Sequence, residues 1–250
     1  MIEVLYVMWK RQLKKYWRSK ARMIGSLGQP ILFLVALGFG FGPMYQGAGG
    51  AGDYLQFLAP GVIAMSILFS AMFIGIEIIW DRQFGFLKET LVAPVPRSLI
   101  MIGRTIGGTT VAFLQGIVVL LISLAFGFRI TAYAELPLAL LFMFLISLVF
   151  TAFGTAIATR MQDMQAFPIV INFIIMPLFF LSGALFPIKG VPKALEVVLN
   201  INPLSYGVDG LRASFGGVAH FGLMLDFAVM AIVTIIVCLI GTILFDRIEV

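Results

Sequence analysis

Six stretches of this chain run for about twenty residues each with scarcely a charge, and nothing else in it constrains the fold as strongly. They lie at about residues 23–43, 54–77, 105–128, 136–159, 164–186 and 221–245. A helix needs about 20 apolar residues to cross about 30 Å of hydrocarbon. Lipid offers no partner to backbone N–H and C=O groups, so a spanning segment must be a helix or part of a closed barrel. Barrel strands would be about 10 residues long and alternate polar with apolar. These windows are longer and do not alternate, so the expectation is an all-α integral membrane protein with six transmembrane helices. Composition agrees: 61% hydrophobic and 12% charged, where soluble domains are about 45–50% apolar and about 25% charged.

The net charge of +5 could suggest nucleic acid, but the basic residues follow the spans instead. Lys10, Arg11, Lys14, Lys15, Arg18, Lys20 and Arg22 precede the first window. Arg82, Lys88, Arg97 and Arg104 lie between the second and third, and Arg160 and Arg247 fall on the same side, thirteen of seventeen in all. Cytoplasmic loops concentrate Lys and Arg, which places both termini in the cytoplasm. The partner this predicts is the bilayer and not nucleic acid. No short n-region, h-region and cleavage site is visible, so the first window is expected to be retained as a span. Cys238, the single cysteine, falls inside the last window and reads as a small buried residue.

Residues 1–22 read as an amphipathic helix lying along the membrane. Leu5, Trp9, Leu13, Tyr16 and Trp17 are expected on one face, with Lys10, Arg11, Lys14, Lys15 and Arg18 largely opposite. A basic helix with a Trp-bearing stripe suits an anionic cytoplasmic leaflet.

Two segments are not spans. Residues 78–98 carry Asp81, Arg82, Lys88 and Glu89 around Phe84, Phe86, Leu87 and Leu91, and end at Pro94, Pro96 and Arg97. A short helix stopped by prolines, with exposed aromatics beside charges, suits a docking surface. Phe84, Phe86 and Leu87 would enter a groove on a partner. Asp81, Arg82, Lys88 and Glu89 would set register at its rim, and Gly85 would let the backbone approach closely. Residues 187–216 are too interrupted for a span and too apolar for a solvated loop. Two short helices are expected, the first after Pro187 and Pro192. The second has Asn202 as N-cap and Pro203 in its first turn, and continues past Tyr206 and Arg212. The pair reads as a re-entrant hairpin.

FLAPGVIAMSI at the second span, DRQFGFLKETLVAPVPRSLIMIGR after it and SGALFPIKGVPKALEVVLNINPLSYGVDGLR before the last span, in that order, resemble the type-2 ABC transporter permeases, most closely their daunorubicin and drug-resistance branch. The resemblance implies a six-span subunit that dimerises, its expected partners being a second identical copy and two ABC-class ATP-binding subunits per complex. It makes residues 1–22 a connecting helix, Asp81 to Arg97 a coupling helix with its flank, and 187–216 re-entrant helices. ATP and Mg would be bound by the partner subunit, and the chain itself is expected to hold no cofactor.

The residues agree that chemistry is sparse. A phosphate cradle needs GxxxxGK[ST], and none of the seven lysines follows a glycine. His220 stands alone, short of a metal ligand set. The glycines at Gly103 and Gly107, like Gly38 and Gly42, are read as close packing. Glu77 could pair with Arg82 or Arg104 or sit among headgroups. Gln115, Asn172 and Ser182 could line a path or bond a neighbouring helix. The leading expectation is an export permease for an amphipathic drug-like, lipid or glycolipid substrate. The rivals are an ion-coupled transporter or channel without an ATPase, and a membrane anchor.

Overall fold

The computed structural model describes residues 2–41, 54–92, 94–161, 163–188 and 191–246, with the side chains of Leu87, Lys88 and Leu91 outside that description. Of the described residues 84% are helical, and none lies in a strand. Among the described residues five helices are long and apolar enough to span a membrane: α2 (Lys20–Phe39), α3 (Tyr54–Gln83), α5 (Arg97–Ala125), α6 (Tyr133–Arg160) and α10 (Leu223–Asp246). The remaining window, 164–186, holds a shorter helix, α7 (Ala166–Phe180). At 1.5 Å per residue its 15 residues reach about 22 Å, short of a full crossing. The end of the first window, with Gly42, lies outside the described residues, as do Lys189 and Arg247.

α3 is the central helix and packs on α2, α5, α6 and the region after α7. Its crossing with α6 is tight because Gly75 faces Gly154: a Cβ on Gly75 would stand 2.4 Å from the Gly154 carbonyl oxygen. Mutually close backbones of this kind are how membrane helices gain van der Waals contact where lipid removes the hydrophobic drive. α10 rests on α6 and turns Ile232, Ile235, Ile236, Leu239 and Ile243 outward. An aliphatic face of this length suits acyl chains.

Four further helices complete the fold: α1 (Ile2–Arg18), α4 (Phe86–Val92), α8 (Lys193–Ile201) and α9 (Pro203–Ser214). The single residue between the last two, Asn202, closes both ends of the joint. Its side-chain oxygen accepts the Leu204 N–H at 3.0 Å, while its Nδ2 donates to the carbonyls of Leu178 in the last turn of α7 and of Leu181 just after it. Helix ends leave such groups without partners, and here one carboxamide serves a start and an end. α9 is buried against α3, α6 and α10, with Leu204, Val208 and Leu211 fully enclosed. α8 keeps only Leu199 inside and exposes Val197, Val198 and Ile201.

Candidate functional site

α1 does not float on the bundle; it is bolted to α5. Its inward stripe is Met8, Gln12 and Tyr16, spaced by four residues. That stripe seats on Gly103 and Gly107 of α5, where a Cβ would come within 2.8 Å of Met8 and of Gln12. Tyr16 donates its hydroxyl to Gln115 Oε1 at 2.7 Å, and Trp9 Nε1 donates to Thr110 Oγ1 at 3.1 Å. Burial raises the Tyr16 hydroxyl above its ordinary pKa, so it stays a donor at neutral pH. The expected division into one apolar and one basic face is corrected here. Trp17, Lys14 and Arg18 do point away, with Trp17 61% exposed, but Tyr16 is buried and Arg11 and Lys15 turn inward.

They turn inward because two acids wait there. Asp81, near the end of α3, is 4% exposed and Glu77, one turn earlier, 3%. Asp81 receives Arg11 Nη2 and Lys15 Nζ, each at 3.3 Å, and Arg104 of α5, itself 2% exposed. Glu77 receives Arg22 of α2 and lies 3.7 Å from Lys15 Nζ. Two carboxylates thus tie four cations from three helices to α3. Asp81 is therefore not a rim residue of a docking surface, as the sequence suggested. Its charge is satisfied from inside the bundle, which is the condition for burying it at all. Glu77 is paired with Arg22 and Lys15, and not with Arg82 or Arg104.

Arg82 also turns back. Its Nη1 and Nη2 donate at 2.9 Å to the carbonyls of Met161 and Thr159, the unpartnered end of α6. One residue on from Gln83 the chain leaves the bundle. Gly85 takes φ +80°, a conformation that favours glycine, with nothing within 4 Å of where a Cβ would stand, so it serves as a reversing joint with an open flank. α4 follows, exposing Phe86 (52%), with Phe84 (71%) just before it. Glu89 and Pro94 are exposed too, and the side chain of Leu87 lies outside the description. Pro96 starts α5, and Arg97 in its first turn donates Nη1 to the Asp246 carbonyl at the end of α10. Beside α4, a cleft of about 350 Å³ between Val4, Val7 and Met8 of α1 and Thr90, Val95 and Ile100 brings α1 into the same surface.

At the opposite end, Arg212 of α9 donates Nη2 to the Gly183 carbonyl at 3.0 Å and holds its guanidinium 3.9 Å from the Phe57 ring centroid. Tyr206 donates to the Asn200 carbonyl and stacks on Phe221 at 4.5 Å. Pro187 and Pro192 are exposed at the edges of the 187–216 segment, and Pro203 is in the first turn of α9. The polar span residues separate: Gln115 and Ser182 bond neighbouring groups, whereas Asn172 is exposed on α7 beside Phe173. Between α2 and α3 a groove of about 440 Å³ is lined mainly by apolar side chains, with Ser26, Gln29, Ser66 and Ser70 among them. Among the described residues no group of three or more His, Cys, Asp and Glu could hold a metal ion.

Residues 3–215 match the model of the ABC-2 type transporter family. Nodulation protein J of Rhizobium leguminosarum bv. viciae is 27% identical over 244 residues, covering 97% of this chain and 91% of that protein. Transport permease ycf38 of Cyanophora paradoxa is 28% identical over 217 residues, 84% of this chain and 73% of that protein. Inner membrane transport permease YadH of Escherichia coli K12 is 28% identical over 197 residues, 78% and 76% respectively. Membership implies association with an ATP-binding subunit. With several apolar helices of spanning length and a family match across most of its residues, the chain belongs to the ABC-2 type transporter family and is a multi-pass membrane transport permease.

Proposed function

We propose that the chain is the membrane-spanning subunit of an ATP-driven exporter and that α4 is the helix through which an ATP-binding subunit moves it. The observation that carries this is the contrast at residue 84. A surface with two exposed aromatics projects from the bundle, while the residues just before it, Asp81 and Arg82, are locked to α1, α5 and α6. A push on α4 therefore reaches several helices at once. Glu89 and Lys88 would set register, and Pro94, Pro96 and Arg97 would fix the angle to α5.

In this reading α7 and the turns after it complete a sixth span, and both termini are cytoplasmic, as thirteen of seventeen basic residues favour. Residues 187–216 form a re-entrant hairpin near the outer surface. Two copies assemble as a homodimer with two ATP-binding subunits, which hold ATP and Mg, in the cytoplasmic membrane of a prokaryote. Exposed Leu32, Val35 and Phe39 on α2 and Ile169 and Phe173 on α7 support a protomer contact there. The α2–α3 groove supports an amphipathic drug-like, lipid or glycolipid cargo, being largely apolar and of the size of small-molecule sites. An ion-coupled transporter has less support, since Glu77 and Asp81 are already occupied by cations.

The test uses the full chain in liposomes with its co-purified ATP-binding subunit. Phe86→Ala should insert normally yet weaken association by about 2 kcal/mol, on the order of thirty-fold, as for an aromatic anchor at an interface centre. Unchanged association and unchanged substrate-stimulated hydrolysis would refute the role of α4.

A further inference from the structure

Two carboxyl groups at the end of the bundle away from Asp81 are buried and, among the described residues, have no cation as a hydrogen-bonding partner. Asp209 of α9 is 1% exposed and Asp226, in the first turn of α10, is fully buried. Asp209 Oδ2 accepts the backbone N–H groups of His220 at 2.7 Å and Phe221 at 2.8 Å, so it anchors the link between the two helices. Its other oxygen and both oxygens of Asp226 are buried and receive no donor from the described residues. α9 packs directly on α10, and the two carboxyls are near enough to act on each other electrostatically.

The surrounding groups do not supply the missing charge. Arg212, one turn along α9, directs its guanidinium to Gly183 and the Phe57 ring. Tyr206, close enough to feel Asp226, gives its hydroxyl proton to the Asn200 carbonyl. His220 is exposed with its ring against Phe221, and Glu135 at the start of α6 is exposed as well. The start of α10 is favourable for an anion, but a helix terminus offsets a small part of the cost of a desolvated carboxylate, and no first-turn N–H reaches the Asp226 oxygens. Two carboxylates in one such place resist ionising together.

We propose that Asp209 and Asp226 form a proton-binding site, in which one proton held by the pair fastens α9 to α10. While the proton stays, the pair carries one charge, stabilised by the two backbone N–H groups on Asp209. When the carboxyl O–H dissociates and the proton passes to water, two buried charges repel across the α9–α10 contact and loosen it. The contribution to stability is thus present while the proton is held and disappears as pH rises. Nothing in this depends on how transport is powered.

The site is tested on the full chain in lipid bilayers by infrared spectroscopy and thermal unfolding. At neutral pH the wild type should show the carbonyl band of a protonated carboxyl, sensitive to deuterium exchange, and Asp226→Asn should abolish it. The melting temperature of the wild type should fall from mildly acid to alkaline pH, and that of Asp226→Asn should stay level. His220 remains in both, so a slope that it caused would survive. Should Asp226→Asn fail to insert, Asp209→Asn keeps an oxygen for both N–H groups and should make the slope shallower, the second charge being gone while the burial of Asp226 remains. An identical band in Asp226→Asn, or a slope unchanged in the variant that inserts, would overturn the proposal. So would a wild type without the band whose melting temperature rises with sodium or potassium, which would make the occupant a metal cation.

Discussion

The two ends of this bundle bury the same chemical group and treat it in opposite ways. Near the end of α3, Glu77 and Asp81 are surrounded by Arg11, Lys15, Arg22 and Arg104, drawn from α1, α2 and α5. Near the start of α10, Asp209 and Asp226 have backbone N–H groups on one oxygen and, among the described residues, no cation in hydrogen-bond reach. The difference teaches what each end is for. A cation-rich cluster joins helices that are separate in sequence, so that α1, α2, α3 and α5 meet at one point. A cation-poor pair can stay buried only by holding something small, and its strength then follows the solution.

The sharpest way to break the contrast is to remove the acid at the cation-rich end. Asp81→Ala leaves Arg104, 2% exposed, without its carboxylate. Loss of one partner from a buried pair costs about 3–5 kcal/mol because the other charge stays desolvated. The expected result is a marked fall in folded protein, measured by thermal unfolding in bilayers or by detergent extraction of monodisperse material. A change under about 1 kcal/mol would mean that water reaches Arg104.

Next in size is a change that leaves every charge in place but moves the helix bearing two of them. Gly107→Leu puts a branched side chain where Gln12 now sits, 2.8 Å from the position of a Cβ. Overpacking of this kind costs about 1–3 kcal/mol, and here α1 can yield by lifting off. Trp9 should become more accessible to quenchers and disulfide crosslinking between α1 and α5 should drop. Unaltered crosslinking would show that α1 is held by its ion pairs and not by the glycine seat.

The opposite end is sharpened by Asn202→Ala. The variant loses the cap of α9 and the two bonds to the end of α7, and caps alone are worth about 1 kcal/mol. Faster hydrogen exchange is expected in α9 and in the turns after α7, with α1 and α5 unaffected. Exchange that quickened equally at both ends would erase the distinction between them.

These regions were not equally legible from residues alone. The apolar windows gave five spanning helices at once, because membrane helices must be long and continuous, and Pro192, Asn202 and Pro203 announced the paired helices after α7. The short helix in the 164–186 window was harder to see, since hydropathy does not register where a helix stops at Leu181 within an apolar run. Least visible was the direction of charged side chains. Asp81 and Arg82 stand beside Phe84 in sequence and read as one polar surface, yet they turn into the bundle, because their partners, Arg104 and the end of α6, are distant along the chain. One signal was present: Met8, Gln12 and Tyr16 repeat every four residues, as do Gly103 and Gly107, which is the match a knob needs with its seat.

The smallest expected effect makes the comparison within one carboxylate. Asp81 receives Arg104, whose side chain is 2% exposed, and Arg11, whose side chain is 33% exposed and whose Nη2 lies 3.3 Å away. The charges are the same; only the access of water differs. A partly solvated pair is screened, and holding a long side chain in place costs entropy, so such pairs contribute about 0–1 kcal/mol. Arg11→Gln should therefore lower stability by well under 1 kcal/mol, and part of that should vanish in high salt, which shortens the range of interactions reached by solvent. Arg104→Gln should cost several-fold more and keep nearly the same cost when salt is raised, because ions do not enter a site from which water is excluded. Thermal unfolding of both variants in low and high salt measures all four quantities together. Equal costs, or equal salt dependence, would show that Asp81 faces a water-filled cavity, and the rigid joint between α1, α3 and α5 would have to be replaced by a hydrated one.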